Sequence, residues 1–262
     1  MTKRYKLIGC EIMHREICQC AAQSKNIIDI EFFDKGLHDI GEKIMSATLQ
    51  QAIDNVNTEK YEAILLCYGL CNYGVKGLCA SIPMVIPKAH DCITLFLGSK
   101  EKYTEYFNNN PGTFFRTSGW LERAQFGIDG EENVMSQLGI QPGADYSEFG
   151  EENAEFLREL LGNWIENYKK QTFIDTGVGN TAMYEELAEA DARSRGLEYE
   201  SVKGNTMLIQ ELMDGNWNPD DFLVVPPGSE IVASYDESIM SCQLRCAGSE
   251  SLTKITVGTP KV

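Results

Sequence analysis

The chain has 262 residues, with 39 acidic and 23 basic side chains, a formal net charge of −16 and a pI of about 4.6. A surface this negative repels phosphate backbones and anionic lipid, so neither nucleic acid nor a membrane is expected as a partner. Apolar content of 43% and charged content of 24% are those of a soluble globular protein, and no apolar run reaches the roughly 18 to 20 residues of a membrane-spanning helix.

The amino end, Met1-Thr2-Lys3-Arg4, leads directly into the strand-like Tyr5-Lys6-Leu7-Ile8-Gly9-Cys10 without a long apolar leader, and a cytoplasmic protein is expected. A helical stretch at 12–24 and a strand at 27–33 follow. Ile40, Ile44, Met45, Leu49 and Ile53 recur at helical spacing and predict an amphipathic helix over about 40–56. Strand 62–67 runs into a glycine-containing turn, then strand 83–87 and a helix over about 92–108. Asn108-Asn109-Asn110-Pro111-Gly112 is a turn signal, and Thr113 to Thr117 reads as another strand.

Residues 120–170 are polar and acidic, with one apolar stripe of Phe156, Leu157, Leu160, Leu161 and Trp164. They read as a helical connector or cap. Alternation then resumes with strand 172–176, the turn Gly177-Val178-Gly179-Asn180, helix 182–195, strand 197–202, helix 205–214 and strand 221–225. Alternating strands and helices imply parallel sheets. The expected fold is α/β, with two Rossmann-like parallel-sheet lobes at 1–119 and 171–262, the helical connector between them, and a central crevice. The lobes read as a diverged internal repeat, with Ile8-Gly9-Cys10 matching Ile174-Asp175-Thr176 and Leu65-Leu66-Cys67 matching Val224-Val225-Pro226.

Three of these strands end at thiols. Cys10 closes the first, Cys67 and Cys71 follow the third, and His90 and Cys92 follow Ile82 to Pro87. In a parallel sheet such ends lie side by side along the edge where ligands bind. Nine cysteines in a reducing compartment are expected as free thiols or ligands, not disulfides. Zinc takes mixed nitrogen and sulfur ligands, and iron–sulfur clusters take thiolates. The candidate metal ligands are therefore Cys10, Cys67, Cys71, His90 and Cys92, with zinc or an iron–sulfur cluster as cofactor. Cys242 and Cys246 join them if the segment 238–246 is helical, because residues four apart then share a face.

Plain packing is the competing reading for each thiol, and the expected one for Cys18, Cys20 and Cys79. Asp91 reads as a helix N-cap. His14 is a weak candidate, and His38 is a candidate for facing the crevice. The Gly177, Gly179 and Asn180 turn could hold an anion on free amides or simply be a tight turn. Arg116, with two hydroxyls and Trp120 at the same strand end, could take a carboxylate or an aromatic face, or simply close the lobe.

Cys67-Tyr68-Gly69-Leu70-Cys71, the run Ile86 to Ile93, Leu97-Gly98-Ser99 and the run Gly112 to Trp120 occur in this order. Over about residues 5–225 the chain resembles the bacterial and archaeal domain of unknown function number 1638. Lys88 stands where members usually carry arginine and Asn72 where they carry glycine; both leave the candidate ligands in place. The resemblance implies no assigned reaction. It does imply an anaerobic setting beside corrinoid-dependent methyl transfer, hence one-carbon metabolism, with a small molecule or a corrinoid protein as partner. The expected function is a metalloprotein of one-carbon or redox metabolism, the alternative a small-molecule or cofactor-binding protein with structural cysteines.

Overall fold

The structure is a computed structural model and describes residues 1–38, 41–71, 73–125, 168–234 and 238–245. It is a mixed α/β protein built on parallel sheets. The first sheet holds β1 (Arg4–Cys10), β2 (Ile27–Phe33), β3 (Ala63–Cys67) and β4 (Met84–Pro87), all parallel, in the order β2-β1-β3-β4. Helix α1 (His14–Gln23) connects β1 to β2, and α2 (Glu42–Asp54) connects β2 to β3. Ala63-Ile64-Leu65-Leu66-Cys67 is buried on every residue, as expected of a central strand covered on both faces. The chain steps from β1 outward to β2, then back across to β3, so the winding reverses between β1 and β3. In doubly wound sheets that reversal opens a crevice at the carboxyl ends of the two strands, where ligands bind.

The predicted helix over 92–108 is two helices, α3 (Cys92–Leu97) and α4 (Lys100–Asn109). Gly98 ends the first in the left-handed conformation at φ 83°, and the Ser99 hydroxyl caps the second by accepting from the Lys102 amide. A second sheet joins β5 (Thr113–Thr117), β6 (Lys170–Asp175) and β7 (Glu198–Lys203) in parallel, in chain order. Helix α5 (Ser118–Gln125) follows β5, and α6 (Thr181–Ser194) links β6 to β7. The rest of the expected connector, with its stripe from Phe156 to Trp164, lies outside the described residues.

The strand predicted at 221–225 corrects the internal repeat. After α7 (Met207–Asp214), β8 (Phe222–Val225) joins the first sheet, antiparallel to β4. The Lys88 amide donates to the Asp221 carbonyl, and the Lys88 ammonium to that of Pro219. The loop before β8 is thereby tied to the carboxyl end of β4, and a strand starting there must run back along it. Leu65-Leu66-Cys67 and Val224-Val225-Pro226 are thus not equivalent units. A further hairpin, β9 (Ser229–Ala233) with β10 (Met240–Leu244), replaces the helix considered for 238–246.

One continuous core runs from the first sheet through α3 and α7 to Ile174 of β6, and Phe115, Trp120 and Val202 pack against it. The loop after β7 abuts α3: the Asn205 amide donates to the Phe96 carbonyl, and a Cβ at Gly204 would stand 2.2 Å from that oxygen. Among the described residues no helix is long and apolar enough to cross a membrane.

Candidate functional site

The reversal point is where the thiols stand. Gly9 pairs with Cys67, and a Cβ on Gly9 would meet Ile17 of α1 at 2.8 Å and the Cys67 Cβ at 3.3 Å. Cys67 therefore faces α1. Its sulfur lies 4.0 Å from the Met13 sulfur, and the side chain is fully buried. Cys20, also buried, turns its sulfur to the Thr206 carbonyl from the same helix. These two thiols pack beneath α1, and burial pushes Cys20 up to about 11 and Cys67 well above the usual thiol range.

Cys10, Cys71 and Cys92 are placed differently. Alternation along β1 puts Cys10 on the face opposite Gly9. The turn after β3 lies against the loop after β4: the Leu70 amide donates to the Ala89 carbonyl at 2.8 Å, and the Cys71 amide to that of His90 at 3.1 Å. Gly69 makes this approach possible, since a Cβ there would lie 2.7 to 2.9 Å from the Asp91 backbone atoms. Among the described residues three non-glycine positions have positive φ, and Cys71 at 42° and Tyr73 at 65° are two of them. Such strain in neighbouring residues marks a segment held in shape by its surroundings, as at functional sites.

The three thiols are within electrostatic reach of one another. Cys10 feels Cys71, and Cys92 feels both. Burial is the main cause that raises each, with Cys10 and Cys71 pushed up to about 12 and Cys92 well above the usual value. Backbone amides oppose it: that of Ile12 at the Cys10 sulfur, those of Gly69 and Cys92 at the Cys71 sulfur, and that of Cys92 at its own. Cys71 and Cys92 are partly exposed. Among the described residues, no three His, Cys, Asp or Glu side chains stand close enough together to hold a metal ion as they lie.

Asp91 caps α3, accepting from the Ile93 amide at 3.0 Å and from the Tyr103 hydroxyl at 3.0 Å, and burial raises its pKa. His90 is exposed, its ring centroid 6.2 Å from that of Tyr103, which stacks on Phe107. Tyr68 sits among the thiols, 3% exposed, with no partner for its hydroxyl. Sequence reasoning missed it because a tyrosine at a strand end looks like packing.

The second sheet closes over the segment after β1. The 3-10 turn Glu11–Met13 follows Cys10, and a Cβ on Gly119 of α5 would stand 1.7 Å from the Ile12 carbonyl oxygen. Arg15 of α1 holds Glu122 of α5 in a two-pronged pair at 2.7 and 2.8 Å, and Thr176 after β6 donates to Glu16 at 2.8 Å. Glu11 accepts from the Lys35 amide and faces Arg123, while the Lys35 ammonium lies 5.2 Å from the centre of the Trp120 ring. Glu11, Lys35 and Arg123 carried no motif; only the folded chain brings them together around the segment that follows Cys10.

The other predicted site residues lie elsewhere. The Gly177 amide donates to the Asp175 carboxylate at 2.8 Å, Gly179 packs on Arg15, and Asn180 starts α6. Arg116 pairs with Asp191 at 3.3 Å and covers the Phe114 ring at 4.3 Å. Cys242 sits on β10 opposite Ile231. The hairpin docks on the segment Gly77–Ala80, where Arg245 reaches the Cys79 sulfur, so Cys242 stands near that segment. Cys246 and the His38 side chain lie outside the described residues. His14 of α1 lies tilted against Phe32, the ring centroids 4.7 Å apart.

The family described as "Protein of unknown function (DUF1638)" matches residues 32–213, about two-thirds of the chain. Curated proteins and solved structures give no match.

Proposed function

The chain belongs to the DUF1638 family of proteins of unknown function, a membership that brings no reaction with it, and we propose that it is a metalloprotein whose centre is gathered by Cys10, Cys71 and Cys92. The centre would lie in a crevice between two Rossmann-like lobes. The observation that supports this reading is that Cys10 ends one strand while Cys71 and Cys92 follow two others, β3 and β4, of the same sheet near the point where its winding reverses, within electrostatic reach of one another. The donor set is soft, as zinc and iron–sulfur centres require. Amide N–H groups aimed at the sulfurs would stabilise thiolate once a cation removed the mutual repulsion. Three protein ligands leave a fourth position open. His90 on the Cys92 loop could fill it, but its ring lies against Tyr103, which leaves the position to an outside group.

Such a centre would supply Lewis acidity if zinc, or electrons if an iron–sulfur cluster, consistent with one-carbon or redox metabolism and a corrinoid protein or small molecule as partner. The chain's own part is to hold the ligands. Gly69 seats the Cys71 turn on the Cys92 loop, Asp91 anchors α3 beneath it, and α5 shields the Cys10 side.

A second reading has its own support. Because among the described residues no three donors stand at coordinating range, the edge could bind a small molecule with its thiols as lining. Anaerobic purification with a visible spectrum separates the readings. A brown protein with matching iron and sulfide supports the cluster, a colourless protein with stoichiometric zinc supports the single ion, and a metal-free protein leaves the second reading.

A further inference from the structure

Glu16 of α1 is a carboxyl group buried without a cation of its own. It is 1% exposed, with one oxygen accepting from the Thr176 hydroxyl at 2.8 Å and the other buried with no hydrogen-bond partner. The nearby cations are committed elsewhere. The Arg15 guanidinium grips Glu122 of α5 with both prongs, and Lys203 at the end of β7 is bound to Asp175 of β6. His14 turns its ring to Phe32. The Glu122 carboxylate and the Cys20 and Cys67 thiols repel a charge on Glu16, and Tyr184 of α6 lies near Arg15. An ionised carboxylate taken out of water without a partner costs far more than one hydroxyl returns, so such a group keeps its proton. Burial accordingly raises its pKa, against the pull of Thr176, of its own backbone amide and of Arg15.

The same contact joins two parts of the fold, since α1 connects strands of the first sheet and Thr176 follows β6 of the second. We infer that Glu16 is a proton-operated contact between α1 and the second sheet, seated on the loop after β6 as the neutral acid and loosened when its proton passes to solvent. As the acid, it accepts from Thr176 at one oxygen and carries the proton on the other. As the carboxylate, it faces Glu122 across a buried interface, and water must enter to solvate it. The neighbouring ties differ: Arg15 and Glu122 pair as opposite charges, and Gly119 meets Ile12 through close packing. The cover that α5 and the loop after β6 place over the segment following Cys10 therefore loosens as pH rises. This device goes beyond the metal reading and does not depend on what the thiols hold.

The test follows wild type, Glu16→Gln and Thr176→Val by urea unfolding and amide hydrogen exchange from about pH 4 to about pH 9. The glutamine keeps the shape and the acceptor but cannot ionise. Burial lifts the folded value of Glu16 above the unfolded one of about 4.3, so the folded state holds the proton more tightly. Relative to Glu16→Gln, wild type should therefore lose stability as pH rises between the two values and then level off. Exchange at Gly177 and Val178, taken as the ratio of wild type to Glu16→Gln, should climb about tenfold or more across the range, while the ratio at Ile64 and Leu65 of β3 stays within about twofold. Thr176→Val removes a hydroxyl that favours the charged form and should move the wild-type transition to higher pH. A pH dependence identical in wild type and Glu16→Gln overturns the inference, and so does exchange that rises equally in β3. If Glu16→Gln does not fold, a Thr176→Val transition at or below the wild-type pH overturns it.

Discussion

Gly69→Ala offers a sharp test of how the site is assembled. The added Cβ would lie 2.7 Å from the Asp91 Cα, 2.8 Å from its nitrogen and 2.9 Å from its carbonyl carbon. All three are backbone atoms, so no flexible tip can swing aside; the turn must lift from the loop by roughly half an ångström or more. Overpacking of this kind costs about 1 to 3 kcal/mol. Lifting also stretches the amide bonds from Leu70 to Ala89 and from Cys71 to His90, each contributing about 0.5 to 1.5 kcal/mol. The expected loss is therefore about 2 to 6 kcal/mol, a large share of the roughly 5 to 15 kcal/mol that holds a domain together. Gly77→Ala is the control. Gly77 has φ 80° and nothing within 4 Å of its Cβ position, so only the backbone strain of about 1 to 2 kcal/mol applies. Urea unfolding of both variants, with metal content measured on the folded fraction, gives the comparison. If Gly69→Ala is no less stable than Gly77→Ala and retains metal like wild type, the close approach does not position the thiols.

Cys67→Ala should lower stability by about 1 to 2 kcal/mol through a small cavity under α1 while leaving metal content unchanged, whereas Cys92→Ser should lose metal with little change in apo stability; equal metal loss in both would place Cys67 in the site. Gly119→Ala should destabilise by about 3 kcal/mol or more, since its Cβ would overlap the Ile12 carbonyl, and a wild-type urea midpoint would show that α5 is not seated there. Glu122→Gln removes the pair with Arg15, which holds the Glu122 carboxyl below its ordinary range. A lowered carboxyl pKa stabilises the fold above the unfolded value of about 4.3 and loses that contribution as pH falls through the folded value. The variant should accordingly be less stable at pH 7 by up to about 1 kcal/mol, since Arg15 is 40% exposed, and the difference should disappear in acid. A difference that persists at pH 3 would assign it to packing.

Strand and helix order through α7 was legible because apolar periodicity changes cleanly between Tyr5–Cys10, Ala63–Cys67 and the helical spacing of Met45, Leu49 and Ile53. Strand direction was not. Phe222 to Val225 reads as apolar whichever way it runs, and the tie from Lys88 to Asp221 that reverses it is a contact distant in sequence. The break at Gly98-Ser99 was readable, since a glycine before a serine ends one helix and caps the next. The hairpin at 229–244 carries no Asn-Gly or Asp-Gly turn signal, so its second strand was open to a helical reading. At the site, thiols at successive strand ends announced the edge, yet Cys67 and Cys71 looked alike in sequence. Pairing with Gly9 sends Cys67 under α1, while a positive φ at Cys71, which no side chain advertises, turns the next thiol toward the rim. Tyr68 was illegible for a similar reason: only the folded chain shows that its hydroxyl has no partner.

The central claim is that Cys10, Cys71 and Cys92 hold one metal centre. Its direct test is the metal-to-protein ratio of wild type and of the Cys10→Ser, Cys71→Ser and Cys92→Ser variants, each purified without oxygen and checked for folding by circular dichroism. The account predicts a stoichiometric centre in wild type and its loss in each folded variant. Wild-type protein free of zinc and iron, or folded variants that keep a full complement, would contradict it.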